Sequence, residues 1–215
     1  TPEARGWLVS SELGTLALAA TTSATPLSTA TQDSALKLSG TLPANGSAQF
    51  GLFVPAQADA PPASLDVASL RLATERYWNA VLAPAAQIIT PDSLLNDVIR
   101  SSQVRCLIDA RNEADGARVA AWIAAISYGP LESESHAVIR GMDFMGHPEF
   151  ARRSLDFFVH RYNTNGFLTT GYTTFGTAWH LWTLGEHYAL AHDQDWLRQN
   201  ASELARVGQW ILRQT

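Results

Sequence analysis

The chain has 215 residues and a formal charge of −5, with 46% hydrophobic and 16% charged side chains. That is enough apolar material for a core and excludes a largely disordered chain. The acidic balance argues against a nucleic-acid groove or a polybasic membrane surface, no apolar run nears the ~20 residues that span a bilayer, and the single Cys106 excludes both a disulfide framework and a Cys-rich zinc site.

Residues 1–67 carry only seven charged side chains, and Ser, Thr, Ala, Leu and Val dominate there. Residues 16–21 and 35–41 alternate partly between apolar and polar, and 49–54 is rich in β-formers. Asn45-Gly46 between two of these runs is a turn signal. Short strands split by Gly, Pro, Ser and Asn predict antiparallel β-structure packed on something larger. Residues 55–64, with Pro61-Pro62, read as a connector.

The remainder reads as helices. Val67–Leu82 carries Leu70, Tyr77, Trp78 and Val81 at near-helical spacing. Thr90-Pro91-Asp92 predicts a helix start with a hydroxyl N-cap and Leu94, Leu95 and Val98 on its apolar face. Ser133 or Ser135 is expected to cap a helix through Val138, Met142 and Met145 that ends at Gly146. Pro148 starts the next, with Ala151, Leu155, Phe158 and Tyr162 as its stripe and Asn165-Gly166 as its stop. Ala178, Trp182, Gly185 and Ala189 mark another. Asp193 caps the last, whose expected apolar face is Leu197, Ala201, Leu204, Gly208 and Ile211. That face is still running at Thr215, and Thr1 is not an initiator Met, so the chain is expected to belong to a longer protein. Short links near 146–148 and 191–193 alternate with long ones at 109–133 and 163–176. Alternate loops of a helical ring lie at one end, so the two long loops are expected to share a face, where sites are usually built.

Three segments carry candidate chemistry. In Tyr128-Gly-Pro-Leu-Glu-Ser-Glu-Ser-His136, Glu132 and Glu134 are two apart, and an extended segment would aim both carboxylates one way. Paired carboxylates are the working parts of glycoside hydrolysis. The plain alternative is that acids at a helix start complement its dipole. The second segment, from Gly166 to Gly176, combines Phe167, Tyr172 and Phe175 with four threonines. Aromatic faces beside hydroxyls suit sugar rings, and the alternative is a buried plug. The third runs from Trp179 to Tyr188. His180 and His187 share a helix face there, without a second ligand set at metal spacing. Trp179, Trp182 and Tyr188 read mainly as core, with His187 hydrogen-bonded. Trp179, one turn in from the loop, is placed to reach a ligand. Arg140 and Asp143 are expected to pair on a helix surface. Asn45-Gly-Ser47 and Asn200-Ala-Ser202 match the glycosylation sequon, and the second falls inside a helix.

The order of Trp78-Asn-Ala-Val-Leu82, Ile88-Ile-Thr-Pro-Asp92, the 128–136 segment, Gly146-His-Pro-Glu-Phe-Ala151, Trp182, Glu186-His-Tyr188 and Asp193-Gln-Asp-Trp-Leu197 resembles the six-hairpin glycosidases. The resemblance spans about residues 67–215 and rests on spacing, not on one family's signature. It implies the end of an antiparallel β-sandwich (1–66), a linker helix and connector (67–88), and the first part of an (α/α)6 toroid of helical hairpins (89–215). The Arg-Asp pair that grips the sugar in relatives is absent; Glu132 and Glu134 stand there instead. The implied activity is hydrolysis of a glycosidic bond by carboxylate acid/base chemistry, with inversion as in most toroid relatives. Glu132 and Glu134 would be the catalytic pair unless that pair lies beyond Thr215. Tyr128, Tyr172, Phe175, Trp179 and His187 would line the sugar subsite. A carbohydrate substrate is expected, with no cofactor, metal, nucleic acid or membrane, and an extracellular or periplasmic location. A non-catalytic helical-toroid module binding glycan or protein, or a glycoside phosphorylase, would fit the same frame.

Overall fold

A computed structural model describes residues 5–11, 14–22, 28–32, 35–47, 50–53, 66–121, 130–169 and 175–215. The chain divides into two compact units, 1–77 and 78–215.

In the first unit, β1 (Arg5–Ser11) pairs antiparallel with β2 (Gly14–Thr22), from Arg5↔Ala20 to Ser11↔Gly14. β2 also pairs with β5 (Phe50–Phe53), from Ala19↔Phe53 to Thr22↔Phe50. β3 (Ser28–Gln32) and β4 (Ala35–Ser39) form a separate two-stranded ribbon. The turn expected at Asn45-Gly46 is present: Asn45 is left-handed at φ 59°, and the Gly46 N–H donates to the Pro43 carbonyl at 2.8 Å. The proline connector lies outside the described residues.

The β-sandwich end is overturned. The described residues are mostly helical, with six α-helices among them. A sandwich needs two sheets that bury a shared apolar face, whereas these strands fall into small local sheets. Period-2 alternation marks strands, but it does not say which strands share a sheet or whether two sheets stack.

The helical half is compatible with a run of helical hairpins. After α1 (Val67–Leu82) come α2 (Ser93–Asp109), a hairpin of β6 (Arg111–Glu113) and β7 (Arg118–Ala120), then α3 (Glu132–Phe144), α4 (Pro148–Val159), α5 (Gly176–Ala191) and α6 (Gln194–Leu212). Links of two or three residues fold α4 back on α3 and α6 back on α5. α3 packs on both α4 and α5, while β7 packs on α4. Their shared core holds Ile139, Leu155, Phe157 and Phe158, none of them exposed, with Val119, Ala120 and Leu168 beside them. Each such large side chain contributes about 1.5–3 kcal/mol by leaving water. No described helix is long and apolar enough to cross a membrane.

Local signals were read with mixed success. Asp193 caps α6, its carboxylate accepting the Trp196 N–H at 2.9 Å, and Pro148 opens α4. The cap of α2 is Asp92 rather than the Thr90 hydroxyl: Asp92 Oδ1 accepts from the Leu94 N–H at 2.9 Å, and Thr90 bonds Asn96 instead. Leu131 occupies the N-cap of α3, because Ser135 turns inward and donates to the Ala121 carbonyl at 2.7 Å. α4 stops at Val159, and Tyr162 bridges to Leu168 in the following loop. Gly166 closes that loop at φ +92°, where a Cβ would sit 2.4 Å from the Arg206 carbonyl oxygen. The stripe assigned to α5 is its exposed side; Thr177, His180, Thr183, Leu184 and His187 face inward. α5 is apolar nearly all round, so periodicity could not choose a face. Leu94, Leu95 and Val98 of α2 are likewise exposed, and on α6 the buried residues are Trp196 and Val207.

Candidate functional site

The site forms where α3 and α5 lie side by side. Residues of α3 at helical spacing, Glu132, Ser135, His136, Ile139, Met142 and Asp143, are all buried. They meet Gly176, Thr177, His180, Thr183 and His187 of α5. This seam is unusually polar, and most of its polar groups find partners inside it. His187 Nδ1 donates to Asp143 Oδ2 at 2.8 Å. The Thr177 hydroxyl accepts the Leu168 N–H at 3.0 Å. The Tyr162 hydroxyl and His180 Nδ1 share a hydrogen bond. His136 stacks on His180 with ring centroids 5.0 Å apart. Burial drives both imidazoles toward the neutral form: His136 is lowered to about 3, with the Glu132 carbonyl partly opposing, and His180 also falls far below its ordinary value. Burial likewise pushes the Tyr162 phenol upward, so it stays protonated.

Above the seam runs a cleft of about 280 Å³ lined by Ser133, His136, Ala137, Arg140, Gly141 and Phe144 from α3 and Trp179, Trp182 and Thr183 from α5. That volume is just under the range of about 300–1,000 Å³ usual for small-molecule pockets. Phe144 and Trp182 are each 52% exposed and Trp179 44%. The Arg140 guanidinium lies over both Phe144 (4.9 Å) and Trp182 (4.7 Å) and pairs with Glu186. At the base the His136 ring is buried, with both nitrogens closed off from solvent and the Glu132 carbonyl beside it. The cleft therefore combines aromatic faces with one compensated charge pair.

The sequence-selected residues fall in several places. Glu132 is almost wholly buried and lies against the first turn of α5, its Cγ 2.0 Å from where a Gly176 Cβ would be. A carboxylate there complements the positive end of α5. Contact between Glu132 and Gly176 also brings the two long connections to one end of the helical pair. Glu134 is half-buried and accepts from the Ser133 hydroxyl. Both acids sit in the first turn of α3, not in an extended segment. Two residues of helix separate side chains by about 200°, so the carboxylates do not converge. Phe175 and Trp179 are one turn apart and exposed at the start of α5. His187 lies in the seam, held by Asp143 and edge-on to Trp196, away from the cleft. Tyr128 and Tyr172 lie outside the described residues.

Two further readings are corrected. Trp179 and Trp182 are cleft walls, not core. Arg140 and Asp143 do not pair on the surface: Asp143 turns inward to His187, and Arg140 reaches across to Glu186. Sequence reasoning passed over His136, Arg140, Phe144 and Glu186. The signal available was the run 133, 137, 140, 141, 144, one helix face, but its partner face on α5 cannot be known before the helices dock. Among the described residues no three His, Cys, Asp or Glu side chains converge to hold a metal ion.

Comparison with protein-family models, curated proteins and solved structures finds no match to this chain.

Proposed function

We propose that the helical unit carries the sugar-binding part of a glycoside hydrolase. The observation that carries this reading is the aromatic cleft with His136 at its base. Indole faces pack against the C–H faces of a pyranose, and the Ser133 hydroxyl lining the cleft can meet its hydroxyls. A cleft of this size suits one ring of a longer chain. Of the two acids chosen from the sequence, Glu134 is the one that solvent can reach, and it is assigned the acid/base role. Glu132 is assigned to holding the first turn of α5. Hydrolysis with inversion needs one protonated and one ionised carboxyl group about 6.5–9.5 Å apart, so Glu134 works with a second carboxylate.

A second reading is favoured by a specific feature. Glu186, the carboxylate paired with the cleft residue Arg140, is committed to it, which suits a glycan-binding module without hydrolysis. One experiment separates the two. Oligosaccharide binding is measured by calorimetry on the full chain and on Trp179→Ala and Trp182→Ala, and reducing-end release is assayed on the same ligands. Binding lost at least tenfold in both variants supports the cleft. Release abolished by Glu134→Gln supports hydrolysis, and binding without release supports the module. Unchanged binding in both tryptophan variants refutes the carbohydrate reading.

A further inference from the structure

We infer that the cleft takes an uncharged sugar ring, and that Glu186 sets this selectivity by neutralising Arg140. The inference rests on the carbohydrate reading and narrows its substrate class. Among the described residues that line the cleft, Arg140 is the one with a permanent charge. Its Nε–H donates to Glu186, and its plane is covered by Phe144 and Trp182. The cation is therefore paired within the protein, and an incoming carboxylate would have to share it with Glu186. An ammonium group would meet the repulsion of Arg140 with Glu186 already occupied. Neither ion could recover the hydration it gives up on entering an aromatic cleft.

The Ser133 hydroxyl also lines the cleft. It donates to Glu134 and keeps lone pairs that can accept from a sugar hydroxyl.

The test measures binding of three oligosaccharides of equal length to the full chain: a neutral hexose oligomer, an oligogalacturonide and a glucosamine oligomer. The neutral ligand is expected to bind at least tenfold more tightly than either ion. Glu186→Gln frees Arg140 and is expected to improve the ratio of acidic to neutral binding about tenfold. Arg140→Met leaves Glu186 unpaired and is expected to move the ratio toward the glucosamine oligomer. The two variants change the fold's charge in opposite directions, so one can be read if the other does not fold. Wild-type binding of the acidic or the cationic oligomer as tight as the neutral one overturns the inference, as does an unchanged ratio in both variants. If none of the three ligands binds, the carbohydrate reading falls and this inference falls with it. Binding without discrimination by charge overturns the inference alone.

Discussion

Gly176 and Gly185 lie in the same helix, α5, yet replacing each with alanine should have opposite effects. A Cβ at Gly176 would stand 2.0 Å from Glu132 Cγ, 2.9 Å from its Cδ and 3.0 Å from its Cβ. Carbon atoms pack at about 3.5–4.0 Å, so the Glu132 side chain must leave. Being buried, it has no room to swing without moving α3. Overpacking of this kind costs about 1–3 kcal/mol, and loss of an anion at a partly buried helix N-terminus adds up to about 2 kcal/mol. Against this stands a helix-propensity gain of at most about 1 kcal/mol. The expected net loss is about 2–3 kcal/mol, or roughly 5–10 °C in Tm for a unit of this size. At Gly185 nothing lies within 4 Å of the added Cβ, so Gly185→Ala should stabilise by about 0.5–1 kcal/mol. Urea unfolding of the two variants decides the matter. A Glu132→Ala/Gly176→Ala double variant should lose less than the sum of the single losses. A neutral or stabilising Gly176→Ala would refute the close approach of α3 and α5 and the site built on it.

Other expectations follow from the same seam. Asp143→Ala leaves the buried His187 Nδ1 without its acceptor and should cost about 2–4 kcal/mol by urea unfolding. Gly166→Ala should cost more than about 2 kcal/mol, because the residue is left-handed and its Cβ would strike the Arg206 carbonyl. Acid should weaken the fold early. The pKa of His136 is lower folded, at about 3, than unfolded, near its ordinary 6.5. The unfolded chain therefore binds more protons between those values, and stability is lost as pH falls through that window. From pH 6.5 to 5, His136 alone should remove about 2 kcal/mol, with His180 acting in the same direction. His136→Phe should flatten this slope in denaturant titrations across that range, and an unchanged slope would refute neutral burial of the ring.

Chain-local physics was legible without coordinates. The Asp193 cap, Pro148 at the head of α4, the Ala151–Leu155–Phe158 stripe and the turn at Asn45-Gly46 all rest on interactions within a few residues. So did the alternation of short and long links, which depends only on where helices start and stop. What depends on a partner surface was not legible. Small-residue strands could not say whether two sheets would cohere, and they form separate small sheets. α5 is apolar nearly all round, so only docking on α3 chose to bury its histidines and threonines and to leave Trp179 and Trp182 in the cleft. Helical rather than extended backbone at 132–134 parted Glu132 from Glu134, and docking then set Glu132 against Gly176. Docking also sent Asp143 to His187 and Arg140 to Glu186 across 44 and 46 residues of chain. Local sequence fixes which backbone hydrogen bonds a segment can make. The burial of a side chain depends on what a distant segment brings against it, and that was decided only by the tertiary structure.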